Sequence, residues 1–106
     1  MSQHTIHNIL NNIESELRQL RLWSATAPDA AAFNSTIPFC YDTMALEQWL
    51  QFILLPRFRA MLDAGVALPV KISILPVAEE AFKAHGVLAY PLLQHIALLD
   101  KTLSAA

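Results

Sequence analysis

The stretch Leu46-Glu47-Gln48-Trp49-Leu50-Gln51-Phe52-Ile53-Leu54-Leu55-Pro56-Arg57-Phe58-Arg59-Ala60-Met61-Leu62 decides the fold class. Its apolar positions (Leu46, Trp49, Leu50, Phe52, Ile53, Leu54, Leu55, Phe58, Met61 and Leu62) lie round much of a helical circumference, as the central helix of a bundle requires. Asp42 or Thr43 offers an N-cap, Glu47 puts negative charge in the first turn, and Gly65 supplies the stop. Pro56 removes one backbone hydrogen bond and crowds the carbonyl four residues earlier, so it is predicted to kink this helix or divide it at Leu55. With Arg57 and Arg59 inside it, the run from Trp49 to Leu62 is too short and too charged to span a bilayer, and no membrane association is expected.

Toward the N-terminus, Ile6, Ile9, Leu10, Ile13, Leu17 and Leu20 fall at offsets of 0, 3, 4, 7, 11 and 14. That spacing predicts an amphipathic helix from about Ser2 to Ser24, with Glu14 and Arg18 paired on its exposed face. Toward the C-terminus, Val70, Ile72 and Ile74 alternate, but a lone strand has nothing to pair with, so Val66 to Leu75 is read as an extended loop. Pro76 suits the start of a short helix through about His85, with Glu79 and Glu80 near its positive end and Gly86 as terminator. A last helix runs from about Leu88 or Tyr90 to Leu103, with Leu92, Leu93, Ile96, Leu99 and Leu103 on one stripe. The expected architecture is therefore all-α: a single-domain four-helix bundle with a long ordered loop between the first and second helices.

That loop, Ser24 to Tyr41, is broken by Pro28 and Pro38, with one helical turn begun by Pro28 and closed before Asn34. Phe33, Ile37, Phe39 and Tyr41 argue that it lies ordered across the bundle, since a solvated linker has no use for so many large apolar groups.

Composition narrows the function classes. The 106 residues suffice for one domain, and 55% hydrophobic against 15% charged is apolar enough that part of the surface is expected to be shared with a partner. A net charge of -2 with seven Lys and Arg spread singly gives no basic stripe, so direct nucleic-acid binding is not expected. Cys40 is the single cysteine, and Met1 to Leu10 lacks the basic start and apolar run of a signal peptide, which reads as cytoplasmic.

Polar side chains interleave with aromatics most densely at Phe33, Asn34, Ser35, Thr36, Pro38, Phe39, Asp42, Thr43, Met44, Gln48 and Trp49, with Arg57 beyond. Such a mixture suits a recognition surface, where aromatics bury area and hydroxyls and amides set orientation. The same residue types also build turns and caps, and the structural reading is the commoner one. Cys40 has no histidine placed beside it and reads as a packed, inert thiol; His4 and His7 make at most half a metal site. Adjacent Glu79 and Glu80 point about 100° apart on a helix, so they cannot serve one substrate as acid and base. With two glycines there is no phosphate loop or nucleophile elbow, and no cofactor or metal is expected. Asn34-Ser35-Thr36 matches a glycosylation acceptor, without meaning in a protein that is not secreted.

The block Phe33-Asn34-Ser35-Thr36-x-Pro38-Phe39, then Asp42-Thr43-Met44, Glu47-x-Trp49-Leu50-Gln51 and Pro56-Arg57, resembles the signature of the YqcC-like family of small proteobacterial proteins. The resemblance implies a helical bundle, carries over no catalytic residues, and implies a gene beside that of a tRNA pseudouridine synthase. The leading expectation is a non-enzymatic, self-associating helical interaction module, a homodimer included, that holds a protein partner such as a tRNA-modification enzyme through the Phe33 to Trp49 surface, with Trp49 as anchor. The alternative is a small-ligand binder or unrecognised enzyme whose pocket lies beneath the loop, with Asn34, Ser35, Thr36, Asp42, Thr43 and Gln48 as polar contacts.

Overall fold

The computed structural model describes residues 3–104. Helix α1 spans Gln3–Gln19; the predicted start at Ser2 lies outside the described residues. It ends short of Ser24 because Arg21 turns left-handed at φ 61. The Arg21 N–H then donates to the Arg18 carbonyl at 3.0 Å and the Leu22 N–H to the Leu17 carbonyl at 2.9 Å, which is the Schellman arrangement. Periodicity continues through Leu20 and gives no warning of this stop.

The central helix is built from α2, Leu46–Trp49, a π-helical turn, Leu50–Leu54, and α3, Leu55–Asp63. Pro56 explains the wide turn. Its ring cannot sit against the Phe52 carbonyl in α geometry, so the backbone opens by one residue and the Leu55 N–H bonds the Leu50 carbonyl. Leu54 and Leu55 keep helical dihedrals (φ -65, ψ -55 and φ -61, ψ -49), so the helix is widened rather than divided at Leu55. Gly65, at φ 71, ends α3 in the same Schellman form as α1, with the Val66 N–H on the Met61 carbonyl at 2.9 Å.

Residues 66–74 form an extended connection, and no strand occurs among the described residues. Helix α4, Leu75–Ala81, has Pro76 in its first turn. It stops at Ala81 rather than His85, and a 3-10 segment, Lys83–Ala89, follows, bent at Gly86 (φ 59, ψ -137). Helix α5 spans Tyr90–Ser104. The N-terminus of α4 is capped from α5: Asp100 accepts from the Ile74 N–H at 2.9 Å and from the Leu75 N–H at 2.8 Å.

The helices pack α1 along α5 and against α3, with α4 on α5. One core results, made by Leu10, Ile13 and Leu17 of α1, Leu46, Leu50, Leu54, Leu55 and Phe58 of the central helix, Ile74 and Phe82 flanking α4, and Leu92, Ile96 and Leu99 of α5. Burial of each such side chain stabilises by about 1.5–3 kcal/mol. At its edge Arg59 reaches from α3 to Glu14 Oε1 at 2.9 Å and to Asn11 Oδ1 at 2.9 Å. Arg18 holds the other Glu14 oxygen at 3.0 Å and lies 4.4 Å over the Trp23 ring. Partial burial pushes the Glu14 carboxyl up, but the hydrogen bonds and charges of the two arginines outweigh it and hold the group below its ordinary value.

Candidate functional site

The segment from residue 20 to residue 45 crosses the bundle as a strap. Its first anchor is Gln51 in the π turn, which is buried and bonds both backbone polar groups of Ser24. Two short 3-10 turns follow, Ala30–Asn34 and Pro38–Cys40. In the second, Phe39 and Cys40 both adopt left-handed backbone, φ 62 and 48. Side chains with a Cβ enter that region at a cost of about 1–2 kcal/mol each. The packing that holds them there is visible: the Phe39 ring meets Trp49 edge-on with centroids 4.9 Å apart, and Cys40 is buried.

The predicted site residues separate into three groups. Ser35, Asp42, Thr43 and Gln48 are used inside the strap. Ser35 Oγ donates to Asp42 and accepts from the Ile37 N–H. Thr43 Oγ1 donates to the Ala32 carbonyl at 2.7 Å. Gln48 Oε1 accepts from the Ala45 N–H at 3.0 Å, so the first helical turn is held from within and begins after Ala45, rather than being capped by Asp42 or Thr43. Met44 is buried, and Phe39 and Trp49 are half-buried against the core, which makes Trp49 a clamp on the strap rather than an exposed anchor. Phe33, Asn34, Thr36 and Pro38 face outward beside Ile37 and Tyr41, the latter two about half exposed. Arg57 is also exposed and pairs with neither Asp42 nor the helix carbonyls; Arg59 makes the ion pair instead. One face of α3 meets α1 and the other meets solvent, and two arginines two residues apart cannot both meet it.

A second exposed apolar region was not legible as a site in the sequence. Val87, Leu88 and Tyr90 are 68%, 70% and 58% exposed. They sit where the 3-10 segment turns into α5, and the only signal for them is a pair of apolar residues directly after the Gly86 terminator. Just before them, Lys83 bonds Glu80 at 2.8 Å, which raises the Lys83 pKa, and Tyr41 adds a smaller electrostatic contribution of the same sign. Among the described residues no group of three His, Cys, Asp or Glu side chains converges as a metal site would need, and no helix is long and apolar enough to cross a membrane.

This fold has relatives. The solution NMR structure of protein YqcC from Escherichia coli superposes with a TM-score of 0.83 at 31% identity, covering 98% of this chain and 90% of that one. In sequence, E. coli YqcC is 39% identical over 72 residues, 68% of this chain and 66% of that protein. An uncharacterized protein of Haemophilus influenzae is 44% identical over 89 residues, 84% of each chain. A protein of Pectobacterium carotovorum named tRNA pseudouridine synthase C is 45% identical over 67 residues, which are 63% of this chain but 18% of that much longer one. With the family described as tRNA pseudouridine synthase C matching residues 5–102, the chain belongs to that family, DUF446, and shares the fold of YqcC.

Proposed function

We propose that this chain is a protein-interaction module that works in the cytoplasm beside a tRNA pseudouridine synthase. The observation that carries this reading is the Pectobacterium relative, in which a segment like this one forms 18% of a single polypeptide bearing the synthase's name. Covalent linkage in one relative is what two cooperating chains look like when an effective concentration has been fixed by a linker.

The strap supports the same reading. Ser35, Asp42, Thr43 and Gln48 are bonded internally and Asn34 and Thr36 face outward, which leaves few polar groups to orient a small ligand beneath it, while Phe33, Ile37 and Tyr41 stand exposed on a backbone held by Gln51 and Trp49. A pre-ordered apolar surface loses little conformational entropy on association. The chain's net charge of -2 leaves the tRNA to the synthase.

The test is size-exclusion chromatography with light scattering on the purified chain, the tRNA pseudouridine synthase of the same genome, and their mixture. A mixed peak at the summed mass supports the module, and its loss in Phe33→Ser with Tyr41→Ser places the strap in the contact. Separate elution at micromolar concentration overturns the reading. The run of the chain alone tests the expected homodimer.

A further inference from the structure

Tyr90 belongs to two features at once. With Leu75, Glu79, Leu93, Gln94 and Ala97 it lines a cleft of about 350 Å³ between α4 and α5. With Val87 and Leu88 it also forms the most exposed apolar run of the described chain. The cleft has room for one or two large side chains, being near the lower end of ligand-site volumes of about 300–1,000 Å³. Its floor is apolar, from Leu75, Leu93 and Ala97.

Charge decides what can sit there. Among the described residues Glu79 is the one charged group lining the cleft; it is exposed and has neither an ion pair nor a hydrogen bond there. Its neighbour Glu80 is neutralised by Lys83 at 2.8 Å. An unneutralised carboxylate over an apolar floor repels the phosphates of tRNA and of anionic lipid. A second copy docking about a two-fold axis at this cleft would bring Glu79 toward its own counterpart. A peptide segment with a Lys or Arg beside a large apolar side chain satisfies both surfaces.

We infer that the α4–α5 cleft, extended by Val87 and Leu88, docks such a basic-flanked apolar segment of the tRNA pseudouridine synthase. This rests on the partnership proposed above and adds a second anchor to it. The basic group pairs with Glu79, the large side chain covers Leu75 and Leu93, and Val87, Leu88 and Tyr90 close over its flank.

Titration calorimetry with the purified synthase tests this, using wild type, Glu79→Arg and Leu88→Ser, with circular dichroism to confirm that each variant is folded. Both positions are exposed, so the fold should be unaffected. Each substitution is expected to weaken binding by at least about tenfold, and wild-type affinity should fall with added salt while that of Glu79→Arg responds less. Wild-type affinity in both variants overturns the docking site and leaves the partnership standing. Absence of wild-type binding overturns both, and a dimer of the chain alone that Glu79→Arg dissociates assigns the cleft to self-association and overturns the inference.

Discussion

The side-chain amide of Gln51 closes a ring with the backbone of Ser24: Oε1 accepts from the Ser24 N–H at 2.8 Å and Nε2 donates to the Ser24 carbonyl at 2.8 Å. Only one orientation of the amide satisfies both, so the strap is fixed to the π turn by a contact as specific as a sheet pairing. Gln51→Leu removes both partners while leaving Ser24 partly buried, and should cost about 2 kcal/mol. Urea unfolding measures it. Gln51→Glu should not rescue, because a carboxylate faces the Ser24 carbonyl with no donor.

Glu14 gives the stability a defined acid limb. Its folded pKa is held below the ordinary value of 4.5, so the pairing contributes fully above that value and is lost as pH falls through the lower, folded one. Glu14→Gln should therefore cost about 1 kcal/mol at neutral pH, with the difference from wild type vanishing in strong acid. Urea midpoints across an acid series check the sign: a gap that grows on acidification would contradict the Arg18 and Arg59 assignment.

Thr102 is 2% exposed and its hydroxyl has no hydrogen-bond partner among the described residues. Thr102→Val keeps the shape and removes a desolvated polar group, so it should raise stability by about 1 kcal/mol. Thr102→Ser, which keeps the hydroxyl and loses a methyl, should lower it by about the same amount. Thermal unfolding of the pair separates the two contributions.

Arg21 occupies in α1 the left-handed position that Gly65 fills in α3. Arg21→Gly relieves the Cβ clash, and against the entropy glycine adds to the unfolded chain a net gain of about 0.5 kcal/mol is expected. Gly65→Ala, the mirror experiment, should destabilise by about 1 kcal/mol although open space surrounds the new methyl.

Much of the bundle was readable because helix burial is periodic: Ile9, Leu10, Ile13 and Leu17 are all buried, as are Leu92, Ile96, Leu99 and Leu103. Harder to read were contacts whose partners are distant in sequence. Asp100 caps α4 from 25 residues away, and Gln51 holds Ser24 from 27. Local cap rules, which pointed to Asp42 and Thr43, have no means of weighing such partners. In the strap, composition located the residues but not their direction, since an aromatic that clamps, such as Trp49, and one that faces out, such as Phe33, are the same signal in one dimension.

The buried residues Leu46, Leu50, Leu54, Phe58 and Leu62 recur every four positions. An α-helix overshoots a full turn by about 40° for each such step, so a straight one would carry Leu62 away from the face that Leu46 occupies. The wide turn at Leu50–Leu54 takes up about 100° of it, most of the roughly 160° accumulated from Leu46 to Leu62. The turn consequently holds one residue more than a regular helix joining the same two faces would need. Closing the turn by loss of one residue would leave the faces on either side of it in register, with Phe58 still toward the core, whereas the same loss inside α3 would swing everything after it by about 100°. A single-codon deletion is thus best borne by this helix at its least regular point.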